Sequence, residues 1–99
     1  MNLIGIFSES YIHWDHEVND TDTVMPRLEH MATQAVKFLK TKAEAEDTGY
    51  FVMIEAGRID QAHHNGKAAT ALSETVALDK AIEEVMKLIE RTDDTLGIE

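Results

Sequence analysis

One unbroken apolar run limits the folds open to this chain more than any other feature of its sequence. It lies between Gly49 and the acidic Glu55 and consists of Tyr50, Phe51, Val52, Met53 and Ile54. Aromatic and β-branched residues in succession are typical of a strand that is covered on both faces, as in a parallel sheet. The run therefore predicts a strand over 50–55 within an α/β fold.

Two amphipathic patterns lie on either side of this predicted strand. Pro26 suits the first turn of a helix, and the pattern after it predicts a helix over 26–45. Its apolar residues recur every three or four positions at Leu28, Met31, Ala32, Ala35, Phe38 and Leu39. The second pattern predicts a helix over 67–91. Its apolar stripe consists of Leu78, Ile82, Val85, Met86 and Ile89.

The remaining segments complete an alternating order of strands and helices. Residues 3–7 are a short apolar run, residues 8–25 are polar and predict a surface loop, and Leu96 begins a further apolar stretch that Glu99 ends. This alternation is typical of part of a larger doubly wound sheet. We therefore expect a single partial domain over 1–99.

The composition narrows the classes of partner and chemistry. Nine Lys and Arg against nineteen Asp and Glu give a formal net charge of -10, which repels nucleic acid and anionic membrane surfaces. The chain has no cysteine, so disulfides, thiolate zinc sites and thiol nucleophiles are excluded. No segment reaches the roughly 20 apolar residues of a membrane span. We expect no nucleic-acid partner and no membrane span, and phosphate chemistry here would require metal ions to offset the negative field.

Two carboxylates and an imidazole follow the predicted strand, in a predicted loop over 56–66. They are Glu55, Asp60 and His64. Such side chains bind Mg²⁺ and Zn²⁺, and the carboxyl ends of strands are where open α/β sheets bind ligands. A structural alternative is that Glu55 marks the strand's exit into water, Asp60 turns the loop and His64 precedes a helix. Spacing by itself favours this alternative.

The literal sequence of this segment resembles the alkaline phosphatase family, in which an apolar strand ends in Glu and is followed by Gly-Arg-Ile-Asp and a pair of histidines. Here the matching residues are Glu55, Gly57, Arg58, Ile59, Asp60, His63 and His64. The resemblance extends back to residues 3–7 and forward to 93–96. It implies a three-layer α/β sandwich with a mostly parallel sheet, to which this chain would contribute two main helices.

The resemblance also implies roles for individual residues. Glu55 corresponds to a Mg²⁺ ligand, and Asp60 and His64 correspond to two ligands of one Zn²⁺. In the family, two zinc ions stabilise both ends of a phosphoryl displacement, and a serine forms a phosphoserine intermediate. The implied cofactors are therefore Zn²⁺ and Mg²⁺, the implied substrate is a phosphate monoester, and the implied location of the parent protein is periplasmic or extracellular.

Some motifs of the family do not occur in the chain. These are the Asp-Ser-Ala nucleophile segment, the Thr-Ala-Asp-His segment and a last zinc-binding histidine, so we expect the chain alone to be inactive. Gln61 stands where other members carry a cationic or aromatic residue. We interpret Arg58 as structural and the 8–25 loop as packed by Trp14. The alternative to a phosphatase fragment is a non-catalytic assembly module, whose exposed apolar stripes would favour a homo-oligomer.

Overall fold

Three α-helices account for most of the ordered backbone in the part of the chain that the structure describes. A computed structural model of the protein describes residues 2–19 and 25–89. After a short 3₁₀ turn at Asp15–Glu17, helix α1 spans Leu28–Glu46, α2 spans Arg58–His64 and α3 spans Ala68–Leu88. The strand predicted from Leu96 and the last residues of the helix predicted over 67–91 lie outside the described residues.

The prediction of an α/β fold with a parallel sheet is wrong. Residues 2–19 and 25–89 contain no strand, and the run at 50–55 is irregular chain with Phe51 85% and Met53 80% exposed. A strand needs a neighbour to pair its N–H and C=O groups, and a doubly covered one needs layers on both faces. The described residues provide neither. Residues 3–7 are likewise unpaired, so the three-layer sandwich with two main helices gives way to an arrangement of three helices in this part of the chain.

Helices α1 and α3 pack against each other through small and β-branched side chains. Ala32 and the fully buried Val36 on α1 contact Val85 on α3. Three partly buried apolar residues pack against this cluster: Val52, Leu88 and Ile89. Burial of these faces stabilises both helices, since tertiary packing contributes more than intrinsic propensity.

Helices α2 and α3 form a tight hairpin through Gly66. This residue has a φ of 66°, a left-handed conformation that glycine adopts without steric cost. The Lys67 N–H donates to the Ala62 carbonyl at 2.9 Å, which is the hydrogen bond that closes a Schellman-type helix end. Residues 58–64 are therefore helical, where the sequence pattern predicts a loop.

The segment before α1 is held against the helices by Arg27. Its guanidinium donates to the carbonyl of Asp15 at 2.9 Å, to the Asp15 carboxylate at 3.0 Å and to the carbonyl of Val18 at 2.7 Å. The Val18 carbonyl thereby gains a hydrogen-bond donor, and the Asp15 carbonyl, which already accepts the Val18 N–H at 3.1 Å within the turn, gains a second one. The 3₁₀ turn is consequently fixed beside the start of α1.

Candidate metal centre

Helix α2 carries two of the three predicted metal ligands. It has only seven residues, with Asp60 in its first turn and His64 in its last. An acidic residue near a helix N-terminus and an imidazole near the C-terminus both suit the helix dipole. An isolated helix this short is not stable in water, so α2 depends on its packing partners.

Asp60 and His64 lie on the same face of α2 because they are four residues apart. The carboxylate Oδ2 of Asp60 and the Nε2 of His64 are 3.3 Å apart, and the two side chains are 77% and 75% exposed. A protonated imidazole at this distance forms an ion pair with the carboxylate. A neutral imidazole that carries its proton on Nδ1 presents the Nε2 lone pair beside the carboxylate oxygen, and these two atoms could both coordinate a metal ion.

The spacing of these donors fits two corners of a zinc site. Bonds of 2.0–2.2 Å at tetrahedral angles separate neighbouring donors by about 3.3–3.6 Å, which includes the observed distance. Nitrogen and oxygen are both usual zinc donors, and the exposed face of α2 leaves room for further ligands. Residues 2–19 and 25–89 contain no group of three or more His, Asp or Glu side chains that could hold a metal ion. Among the described residues, the pair therefore falls short of the three protein ligands that are usual in a catalytic zinc site.

Glu55 is not joined to this donor pair in the structure. It is exposed in the irregular chain before α2, and its Oε1 lies 3.5 Å from where a Cβ on Gly57 would stand. The Glu55 side chain thus lies beside Gly57, the residue that precedes α2. The structure brings together Asp60 and His64 but leaves Glu55 outside their group.

Arg58, at the start of α2, makes contacts that the sequence pattern does not reveal. Its guanidinium carbon lies 3.4 Å from the centroid of the Trp14 ring and 5.2 Å from that of Tyr11. Its Nη1 also donates to the side-chain oxygen of Gln61. The predicted packing role of Trp14 agrees with its burial. Its contact with Arg58 was missed, because 44 positions separate the two residues and no local spacing links them.

The other features that resemble binding sites lie away from the donor pair. His63 is exposed beside His64, His13 is exposed before the 3₁₀ turn and His16 is exposed within it. An open groove of about 910 Å³ between residues 3–7 and the start of α1 is lined by neither Asp60 nor His64.

None of the helices at residues 28–46, 58–64 and 68–88 is both long enough and apolar enough to cross a membrane.

Comparison with known proteins agrees with the resemblance seen in the α2 segment. A model of the alkaline phosphatase family matches residues 1–99. The tissue-nonspecific alkaline phosphatase of Homo sapiens is 34% identical over 96 residues, which are 97% of this chain and 17% of that protein. An alkaline phosphatase of Gadus morhua is 36% identical over 97 residues, or 97% of this chain and 19% of its own length. A membrane-bound alkaline phosphatase of Bombyx mori is 32% identical over 80 residues, covering 81% of this chain and 14% of the relative.

No solved structure matches the chain. The chain spans less than a fifth of the length of each of these three relatives. The family match nevertheless includes the residues on both sides of α2 as well as the helix itself. Because that match extends over every residue, the chain belongs to the alkaline phosphatase family.

Proposed function

We propose that this chain provides the metal-ligand segment of a metal-dependent phosphomonoesterase of the alkaline phosphatase type. The observation that carries this proposal is the 3.3 Å separation of Asp60 Oδ2 and His64 Nε2 on the exposed face of α2. Family membership supports it, since the whole chain matches the alkaline phosphatase family. The substrate class would be phosphate monoesters.

In this proposal Asp60 and His64 hold one Zn²⁺, and Glu55 holds Mg²⁺. When bound, zinc supplies Lewis acidity toward an oxygen of the phosphate ester. The chain's own contribution is to orient the two donors: the helix sets their spacing, the carboxylate brings a negative charge and the neutral imidazole brings a lone pair. Catalytic zinc sites usually have three protein ligands, so the third would come from outside the described residues.

The remaining parts of the proposal concern the whole enzyme. Hydrolysis would pass through a phosphoserine formed on a serine that belongs to the nucleophile motif missing from this sequence. The enzyme would act in the periplasm or outside the cell. Nucleic acid would not be a partner, because the chain's formal charge of -10 repels a phosphate backbone.

Calorimetric titration of the chain with Zn²⁺ tests the ligand assignment. We expect one ion per chain at this site, with binding lost in both Asp60→Ala and His64→Ala. His63→Ala is the matched control, because it removes an equally exposed imidazole from the neighbouring position of the same helix. Equal loss in His63→Ala and His64→Ala would contradict the proposed pair, as would the absence of binding to the unmodified chain.

Glu55 requires its own measurement. We expect Mg²⁺ added after Zn²⁺ to shift the amide resonances of residues 55–57, and the shift to be absent in Glu55→Gln. Glu44→Gln, an exposed acidic substitution on α1, serves as the control. A shift that persists in Glu55→Gln would remove Glu55 from the proposed site.

A second candidate function is that of an assembly module, and it is favoured by apolar side chains exposed on α3. Leu72 is 68% and Val76 is 67% exposed, one helical turn apart, and Ile82 and Met86 are also exposed. The occupant of such a face would be a second copy of the chain, giving a homo-oligomer. Sedimentation equilibrium would then show association that the double substitution of Leu72 and Val76 by serine abolishes. A monomer at all concentrations would rule this candidate out.

A further inference from the structure

We infer that Trp14, Arg58 and Glu74 form a clamp that positions α2, and through it the Asp60 and His64 donors. We call these three residues the α2 clamp. The inference rests on the proposed function, because it treats Asp60 and His64 as metal ligands. It goes beyond that function by assigning a positioning role to three residues that are not proposed as metal ligands themselves.

The first step is the attachment of the 3₁₀ turn to α3. Glu74 is the buried acidic residue of α3, 8% exposed, and its Oε1 accepts the backbone N–H of Asp15 at 2.6 Å. A buried carboxylate is costly unless it is hydrogen-bonded, and here a main-chain donor meets that need. The start of the turn is therefore held beside Glu74 on α3.

The second step is the position of the indole that precedes this turn. Trp14 is buried and packs with Ala62 of α2 and Ala71 of α3. Both alanines are small, so the ring lies close to the two helix backbones. Fixing Asp15 through Glu74 thus also fixes the indole between α2 and α3.

The third step is that the indole contacts the first residue of α2 and the residue that precedes α3. The Arg58 guanidinium at the first position of α2 lies 3.4 Å from the ring centroid, and the Lys67 Nζ, at the N-cap of α3, lies 5.6 Å from it. A cation within about 6 Å of a tryptophan ring is attracted by its quadrupole. One aromatic ring therefore contacts the start and the middle of the short helix and the end of the turn that joins it to α3.

The final step is the relation between the two faces of α2. Ala62 is two positions from Asp60 and two from His64, and two positions rotate a helix by about 200°. The buried alanine accordingly faces the indole while the donors face outward. Because seven residues do not form a stable helix alone, the spacing of the donors depends on this contact.

Titration with Co²⁺ alone tests the inference, with d–d absorption reporting the geometry of the bound ion. Replacing residues that orient metal ligands typically lowers metal affinity by about 10–100-fold. We expect Trp14→Ala to weaken Co²⁺ binding by at least about tenfold and to change the d–d spectrum. Trp14→Phe keeps an aromatic ring beside Arg58 and should restore most of the affinity. Phe51→Ala removes an exposed aromatic ring and is the matched control, with unchanged affinity.

Trp14 is the chain's one tryptophan and reports on the clamp directly. We expect Co²⁺ or Zn²⁺ to change its fluorescence emission in the unmodified chain and in His63→Ala but not in His64→Ala. Arg58→Ala provides a second variant that leaves the indole in place, so the test survives if Trp14→Ala fails to fold. Far-UV circular dichroism measures whether the overall helix content is retained in each variant compared.

The outcomes separate the clamp from the proposed function. Weaker Co²⁺ binding in Arg58→Ala and Trp14→Ala, with native-like circular dichroism, supports the clamp. Unchanged binding in Arg58→Ala, and in every Trp14 variant that folds, overturns the clamp but leaves Asp60 and His64 as ligands. Failure of the unmodified chain to bind either ion through Asp60 and His64 overturns both.

Discussion

The carboxylate of Glu74 accepts the backbone N–H of Asp15 at 2.6 Å and so joins two parts of the chain that are 59 residues apart. Glu74 is nearly buried, whereas the other acidic side chains of α3 lie at least partly in solvent. The hydrogen bond therefore links two segments of the chain in addition to meeting the hydrogen-bonding need of a buried carboxylate. It fixes the irregular segment before α1 to the longest helix of the described chain.

Replacing Glu74 by alanine should lower the free energy of unfolding by about 1–3 kcal/mol, because the Asp15 N–H loses its acceptor in a partly buried place. Glu74→Gln keeps a side-chain oxygen at the same reach and should lose less. Urea unfolding followed by circular dichroism measures both. Glu83→Ala, on the exposed side of α3, is the control and should change stability by less than about 0.5 kcal/mol. Equal effects at positions 74 and 83 would contradict the structural role of Glu74.

Val36 should be the most sensitive apolar position of the α1–α3 contact, since its side chain is fully buried. Removing two carbons and leaving a cavity predicts a loss of about 2 kcal/mol for Val36→Ala. Val76→Ala makes the same chemical change at an exposed site on α3 and should be nearly neutral. Urea midpoints for the two variants compare them directly, and similar midpoints would contradict the observed packing.

A larger side chain at Ala62 should separate α2 from its support. Ala62 is completely buried against Trp14 and Ala71, so Ala62→Leu is expected to destabilise the chain by about 1–3 kcal/mol and to increase the solvent exposure of the indole. Acrylamide quenching of tryptophan fluorescence measures that exposure. Ala69→Leu, on an exposed position of α3, should leave quenching unchanged. Quenching that is unaltered in Ala62→Leu would show that the ring does not depend on this contact.

The hairpin between α2 and α3 should require glycine at position 66. Gly66→Ala places a side chain at a φ of 66°, and the left-handed conformation costs about 1–2 kcal/mol for a residue with a Cβ. A methyl group would meet no steric clash at Gly66 or Gly49, because nothing lies within 4 Å of a Cβ built at either position. Gly49→Ala, whose φ is not positive, therefore isolates the backbone effect and should not destabilise the chain. Thermal unfolding of the two variants provides the comparison.

An ion pair near the end of α3 should give the chain a local pH dependence. The Lys87 Nζ donates to Glu84 Oε1 at 2.6 Å, and this hydrogen bond, together with the Lys87 charge, lowers the pKa of Glu84 from its ordinary 4.5. A lowered carboxyl pKa means that the stabilisation is present above the unfolded-state pKa and is lost as the pH falls through the folded-state pKa. Carboxyl carbon NMR titration should show the Glu84 pKa rising in Lys87→Gln. Lys42→Gln on α1 should leave it unchanged.

The sequence allowed the helices to be anticipated better than the chain between them. The ranges predicted from apolar periodicity, 26–45 and 67–91, overlap the observed Leu28–Glu46 and Ala68–Leu88. A helix forms its hydrogen bonds within one segment, so a local pattern can indicate it. A strand needs a partner elsewhere in the chain, and the apolar run at 50–55 does not reveal whether one is present. The composition of the run therefore predicted a strand in a sheet, and the described residues do not form that sheet.

At the candidate site, the proximity of Asp60 and His64 could be predicted from the sequence, whereas the contacts that hold their helix in place could not. The four-residue spacing of Asp60 and His64 is that of one helix face, and Gly66 is placed as a helix-ending glycine would be. Together these signals could have indicated α2 in place of a loop. The contact of Trp14 with Arg58 depends on how the 3₁₀ turn docks on α3. Only the folded chain brings those two residues together.

The outward-facing pair on α2 has a thermodynamic consequence for the segment that carries it. The helical conformation holds the donor atoms of Asp60 and His64 at 3.3 Å, so an ion that bridged them, as proposed, would bind the ordered helix in preference to the frayed one. At a free ion concentration one hundred times the dissociation constant, mass action would shift that local equilibrium by about 2.7 kcal/mol. Fraying of this seven-residue helix would then follow the availability of metal ions, and amide hydrogen exchange across 58–64 would record it.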